Sequence, residues 1–286
     1  MAEILRIAIQ KKGRLSDDSI GLFKECGIKF SNGSGKLKSV SSNFPVEFLF
    51  LRDDDIPGYV ADGVADLGVV GENVLIEKKK NVNLVRKLGF SKCRLSLAIP
   101  RDKEYNGLAD FEGKNIATSY PNILNEFFQK HNISTNIHEI SGSVEIAPGI
   151  GLSEAICDIV SSGSTLLSNG LKEVEKVFTS EAVLVGSPDL SGEKSEIVNK
   201  LLFRIEAVQK AKGNRYILLN APNESIDKII DILPGMKSPT VLPLAEKGWS
   251  SVHSVINEDE FWEVIEELKA TGAEGVLIVP IEKMII

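Results

Sequence analysis

Apolar residues in this chain recur with two periods, and the change from one to the other marks its elements. Continuous or alternating apolar runs at residues 5–9, 46–51, 65–70, 95–99, 115–119, 155–160 and 182–185 predict strands. Between them the spacing turns helical. Residues 16–26 place Ile20 and Phe23 on one face, with Ser16 and Asp17 available as caps, and residues 121–130 form a second helix opened by Pro121. Residues 193–210 read as one long helix with Ile197, Leu201, Ile205 and Val208 aligned. Interleaved strands and helices predict a mostly parallel α/β sheet in each of two regions. The first runs over 1–91 and returns at 187–213; the second is 92–186.

From residue 214 the rhythm differs. A strand at 215–219 precedes a helix at 225–233, stopped by Pro234 and Gly235. Strands at 240–244 and 251–256, a helix at 258–269 and a strand at 276–281 complete a βαββαβ order, the ferredoxin-like pattern, in a third region of 214–286.

The segment with most chemical content is 145–166, EIAPGIGLSEAICDIVSSGSTL. The strand 155–160 runs into Ser161, Ser162, Gly163, Ser164 and Thr165, and a helix-capable stretch follows from Leu166. A strand that ends in glycine and hydroxyl residues at a helix start gathers bare backbone N–H groups at one spot, which suits a phosphate. Gly163 lets the backbone come close, and the hydroxyls add donors. Asp158 is acidic and does not bind phosphate; it suits sugar hydroxyls or a magnesium shell. Together these point to a sugar phosphate, a phosphoribosyl group above all. An ordinary Ser/Gly turn is the alternative, and Glu145, Gly149 and Gly151 tip the balance toward a site.

Composition narrows the ligand further. At 43% hydrophobic and 26% charged residues, the chain has material for a sizeable core. A net charge of −7 argues against broad nucleic-acid binding, so a phosphorylated ligand needs local cations and magnesium. Three scattered cysteines, no CxxC pair, no export-type leader and no membrane-length apolar run favour a reducing cytosol. His131, His138 and His253 lack zinc-site spacing, and Cys157 inside an apolar strand reads as core.

The pattern E-x5-G-x-S-x2-I-x-D-I-x2-S-G-x-T-L, from Glu145 to Leu166, resembles the ATP phosphoribosyltransferase family. So do QKKGRLSDDS at 10–19, RDDDIPGYVADGVADLGVVGENVL at 52–75, CRLSLAIP at 93–100 and IATSYP at 116–121. SPTVLPL at 238–244 and the ending PIEKMII resemble its long form, so the likeness spans essentially the whole chain. It implies two lobes similar to bilobal periplasmic binding proteins, followed by a regulatory ferredoxin-like domain. It implies transfer of the phosphoribosyl group of PRPP to N1 of the adenine of ATP, with Mg2+, as the first step of histidine biosynthesis. Ser161 to Thr165 would hold the 5-phosphate, and Asp158 would face the ribose with Glu145 nearby. For ATP or pyrophosphate the candidates are Lys11, Gly13 and Arg14, with Lys12 beside them, then Gly71, Glu72 and Tyr120. Asp53 to Asp55 can bind magnesium or orient a basic residue, but acidic runs are commonly solvated loops. Feedback inhibition by histidine would act through Met236, Thr240, Val255 and Gly275, with Asn220 a weaker candidate. The resemblance further implies a homo-oligomer, dimer and hexamer, with neither nucleic acid nor membrane as partner. The rival readings are a non-catalytic bilobal solute-binding protein and a catalytically silent regulatory subunit.

Overall fold

Leu5, Ile7, Ala8 and Ile9 are completely buried, which makes the first apolar run a central strand and not an edge. A computed structural model describes residues 3–31, 36–190 and 192–286. In chain order the elements are β1 (Leu5–Gln10), α1 (Arg14–Glu25), β2 (Lys38–Val40), β3 (Val46–Leu51), α2 (Ile56–Ala61), β4 (Leu67–Gly71), α3 (Glu72–Lys78) and β5 (Asn83–Lys87). Then come β6 (Cys93–Pro100), β7 (Asn115–Thr118), α4 (Pro121–Lys130), β8 (Asn136–Glu139), β9 (Ala155–Val160), α5 (Ser164–Ser168), β10 (Leu171–Ser180), β11 (Ala182–Gly186) and α6 (Gly192–Ala211). The chain forms two compact units, Met1–Val198 and Asn199–Ile286.

The first unit holds two sheets, ordered β2-β3-β1-β4-β11-β5 and β10-β6-β9-β7-β8. Each centres one lobe. In the first, Gly68 on β4 lets α2 settle against the sheet. A Cβ there would lie 2.5 Å from Ile56 Cγ2 and 3.0 Å from Val60 Cγ2, too close to accommodate. In the second, Leu95, Leu97, Ile116, Leu124 and Phe128 form a dry layer between strands and α4. Fully burying each such side chain contributes roughly 1.5–3 kcal/mol. The lobes are joined by two adjacent crossings, residues 88–92 and Glu181. These bond to each other: Leu88 N donates to Ala182 O, Ala182 N to Phe90 O, and Gly89 N to Glu181 Oε2.

Four sequence expectations need correction. The sheets are mixed, not mostly parallel: β3, β1 and β4 run parallel, but β11 lies antiparallel between β4 and β5. In the second sheet β6 is antiparallel to both neighbours. The strand expected to close the second region, β11, therefore belongs to the first sheet. Third, β10 was not anticipated and the helix expected from Leu166 is short. Gly170, at φ +70, stops α5 after one turn. β10 then runs as an edge strand whose Lys and Glu residues blur the alternation that would reveal it. Finally, α1 starts at Arg14 after Gly13, whose φ of +99 turns the chain out of β1. Ser16 is buried in the first turn and neither it nor Asp17 caps the helix.

The second unit contains β12 (Asn214–Pro222), α7 (Ile226–Ile232), β13 (Thr240–Pro243), β14 (Trp249–Asn257), α8 (Glu258–Ala270) and β15 (Glu274–Pro280). Its sheet is ordered β13-β14-β12-β15, with every neighbouring pair antiparallel. That is the ferredoxin-like order. Ile217, Leu219, Val252 and Ile256 face Ile229, Phe261 and Leu268 of the two helices. Asn257 caps α8, its Oδ1 accepting from Asp259 N at 2.9 Å. No described helix is long and apolar enough to cross a membrane.

Candidate active site

The site is built where β9 leaves its sheet. Ile156 and Cys157 are fully buried and anchor the strand, so Asp158 emerges half-buried at a defined height. Cys157 is core, as expected: burial and the neighbouring Asp158 push its thiol far above the usual range. Ser161 and Ser162 then turn outward, and Gly163 takes φ +82, ψ 0, the left-handed conformation that ends the turn and opens α5. Five residues of helix carry little macrodipole, so anion binding here falls to individual first-turn N–H groups and hydroxyls. Ser162 Oγ and Ser164 Oγ are 3.0 Å apart and preorganise those hydroxyls.

A cavity of about 240 Å³ sits in this loop, lined by Glu145, Asp158 and residues 159–163, 165 and 166. The structure thus brings Asp158 and Glu145 together although the chain separates them by a whole turn and strand. Burial raises the Asp158 carboxyl above its ordinary value, against the Ile159 N–H that Oδ1 accepts at 2.8 Å; the Glu145 charge raises it further. Two carboxylates beside a phosphate-sized loop suit a ribose and the positive charge that develops when its anomeric bond breaks.

A second cavity of about 230 Å³ shares Ile159 and Ser161 with the first and lies between the lobes. Gln10, Arg14, Asp53, Gly71, Asn73 and Tyr120 line it. Arg14 reaches across the cleft, Nη1 lying 3.4 Å from Ser161 Oγ. Lys11 and Lys12 are exposed beside it and, with Gly13, lie outside the cavity wall. Tyr120 is half-buried at the start of α4, and its hydroxyl is pushed up by burial and by the charges of Asp158, Asp53 and Asp54. Glu72 turns away to Lys87, 3.0 Å distant, while Asn73 faces the cavity. Asn73 is held by Ser180 of β10, whose hydroxyl donates to Asn73 Oδ1 at 2.8 Å.

Sequence reasoning missed Glu77. This buried α3 carboxylate accepts from Asn122 N at 2.9 Å and Ile123 N at 3.0 Å, capping α4 of the opposite lobe directly after Tyr120. Asp53 was seen only as part of an acidic run; burial raises its carboxyl, with Asp54 adding to the effect. A roomier cavity of about 650 Å³ lies at the far end of β9, lined by Tyr105, Phe111, Lys114 and Glu154. It contains none of the predicted residues. Two of its three carboxylates, Asp110 and Glu154, already accept from the backbone amides of Asn106 and Asn115.

The HisG family model, ATP phosphoribosyltransferase, matches residues 52–207, and the model of the HisG C-terminal domain matches 211–283. The chain belongs to the ATP phosphoribosyltransferase family. Proteins named ATP phosphoribosyltransferase from Cytophaga hutchinsonii and Phocaeicola vulgatus are 62% and 61% identical to it. The first match covers 100% of both chains, the second 99% of this chain and 100% of the relative. A solved ATP phosphoribosyl transferase (HisG:HisZ) complex from Thermotoga maritima is similar at TM-score 0.61 and 30% identity, over 71% of this chain and 96% of that one. The substrate-binding protein of an amino acid ABC transporter reaches TM-score 0.50 at 12% identity, over 80% of this chain and 97% of that one, which shows a common bilobal fold alone. This chain is therefore a phosphoribosyl-transferring enzyme of histidine biosynthesis in its long form, and the solute-binding reading falls.

In the second unit, four of the five residues the ATP phosphoribosyltransferase resemblance assigns to histidine, Asn220, Thr240, Val255 and Gly275, lie on the sheet face turned away from α7 and α8. Val252, Ser254 and Ile256 are buried on one side of β14, which leaves Val255 and His253 on the other. Thr240 pairs with His253, and Asn220 alternates with the buried Leu219 and Ala221. Gly275 backs onto Asn220, a Cβ there lying 3.5 Å from Asn220 Nδ2. Met236 sits exposed in the loop after α7. His253 has both ring nitrogens partnered, Tyr216 Oη at 2.8 Å and Ser251 Oγ at 3.0 Å.

Proposed function

We propose that this enzyme transfers the phosphoribosyl group of PRPP to N1 of the adenine of ATP and releases pyrophosphate. The observation that carries the reading is the loop cavity with its two carboxylates beside a cleft that Arg14 and Asn73 line from the opposite lobe and Tyr120 from the same one. The N–H groups and hydroxyls of Ser161 to Thr165 bind the 5-phosphate, and Asp158 and Glu145 face the ribose. The anomeric C–O bond breaks with its electrons passing to pyrophosphate. The adenine N1 lone pair forms the new C–N bond, so no base has to deprotonate the nucleophile. The ring carries positive charge between these events, and a partly desolvated carboxylate stabilises it. Arg14, with Lys11 and Lys12 nearby, neutralises the departing or entering phosphates, and Tyr120 packs beside the base or ribose. Orienting two bound substrates supplies much of the remaining rate.

Magnesium fits as an ion shared with substrate. Among the described residues no three His, Cys, Asp or Glu side chains converge on a metal position. Asp158 and Glu145 offer the one or two hard oxygens that Mg2+ takes when phosphates fill the rest of its shell. It would supply charge neutralisation of the pyrophosphate.

Histidine, the pathway product, inhibits from the open face of the second unit's sheet, near Thr240, Val255, Asn220, Gly275 and Met236. Feedback requires it to bind the inactive arrangement of a dimer or hexamer more tightly. The protein works in the cytosol, a reading supported by its three cysteines, none of which forms a disulfide.

Mixing the protein with ATP, PRPP and magnesium, and following phosphoribosyl-ATP by absorbance, tests the reading. No product while PRPP still binds would overturn it. Thr240→Ala should weaken inhibition by L-histidine; undiminished inhibition removes Thr240 from that site.

A further inference from the structure

Arg94 lies near the start of β6 and lines neither cavity of the site. Its guanidinium forks onto Glu173 of β10, with Nε 2.5 Å from Oε1 and Nη2 2.5 Å from Oε2. The same Oε1 accepts from Ser96 Oγ at 2.8 Å, and Ser96 is completely buried. The fork is therefore rooted in the sheet at its carboxylate end. The Arg94 charge in turn holds the Glu173 carboxyl below its ordinary range. One arm remains, and Nη1 donates to the backbone carbonyl of Ser161 at 3.2 Å.

The position of that arm follows from register. β6 pairs antiparallel with β9 so that Ser96 lies opposite Asp158 and Arg94 opposite Val160. Arg94 is thus the β6 residue beside the point where β9 gives way to the loop. A trans peptide is planar, and its C=O and N–H point in opposite directions. Pinning the Ser161 carbonyl on Arg94 therefore aims the next N–H, that of Ser162, to the other side of the loop. Ser161 and Ser162 both line the loop cavity.

We propose that Arg94 is a positioning residue for PRPP: anchored on Glu173, it sets the plane of the Ser161–Ser162 peptide and so the donors that meet the 5-phosphate. The inference rests on the assignment of that loop to PRPP. Arg is required over Lys because only a planar fork grips two carboxylate oxygens and a carbonyl together.

The test uses the full chain with Arg94→Lys, Glu173→Gln and the double variant, in steady-state assays against PRPP and ATP separately. Losing one charge-assisted hydrogen bond should raise the PRPP KM about tenfold in Arg94→Lys. The ATP KM and kcat should stay near wild type. Glu173→Gln keeps the arginine but loosens its fork, so it should raise the PRPP KM as well. The double variant should be no worse than the worse single, because both act through one strut. An unchanged PRPP KM in Glu173→Gln overturns the proposal, even if Arg94→Lys is impaired, since the arginine would then act on substrate directly. Equal rises in the ATP and PRPP KM values overturn it too, as general damage. Should Arg94→Lys fail to fold, Glu173→Gln alone decides. Wild-type protein that makes no phosphoribosyl-ATP would instead sink the functional reading beneath it.

Discussion

Gly163→Ala isolates the conformational requirement of the phosphate loop. Gly163 holds φ +82 and ψ 0, and the nearest heavy atom to an added Cβ is Val160 Cγ1 at 3.9 Å. Within the free protein the methyl group therefore has room, and the cost there is that of a left-handed L-residue, about 1–2 kcal/mol. This cost can surface in two ways. If the loop keeps its shape, it appears as lost stability in urea unfolding. If the loop relaxes to negative φ, stability returns, but PRPP must restore the strain on binding. The stability loss and the loss of PRPP binding energy together should come to about 1–2 kcal/mol, which is a five- to thirtyfold weakening if all of it falls on binding. Calorimetric titration with PRPP and urea melts measure the two parts. Gly163→Asn is the control, because Asn adopts the left-handed region at lower cost and should lose only a fraction as much. If Asn harms the protein as much as Ala, the side chain and not the backbone angle is at fault. If Ala harms neither quantity, the left-handed loop is not required.

Asp158→Asn should lower kcat by roughly 10²–10³-fold, the scale for losing a preorganised electrostatic group, yet raise the melting temperature at neutral pH. The folded chain holds the Asp158 proton more tightly than the unfolded chain, so ionisation subtracts stability as pH climbs from the unfolded pKa through the raised folded one. Asn never bears that penalty; its advantage should vanish in acid and be full at neutral pH, and a variant that melts lower at pH 7 would contradict the burial argument. Glu77→Gln leaves one acceptor for the two amide donors at the start of α4, so urea unfolding should show a loss of about 1–3 kcal/mol. An unchanged midpoint would mean those N–H groups find other acceptors.

Much of this protein was legible before any contact was known. The strand at 46–51 and the helix at 121–130 end where their periodicity ends, because each buries a face whose spacing is written locally. The same holds for the βαββαβ order of the C-terminal unit and for the strand and Ser/Gly loop around Asp158, where each feature depends on neighbours a few residues away. The rest depended on partners that no local pattern names. An apolar run like that of β11 announces a buried strand but not which sheet buries it, and the chain's return through Glu181 decided that. β10 hid behind the charges of an edge strand, and the pairing of Glu72 with Lys87 could not be read from either residue. The contacts that shape the site are long-range: Glu77 caps a helix 45 residues on, and Arg94 reaches Glu173 across 79 and Ser161 across 67. Sequence determined the elements and the loop chemistry because short-range spacing encodes burial and backbone freedom. Only the tertiary structure decided which carboxylate faces which amide or cation, because a charged side chain carries no record of the distant group that satisfies it.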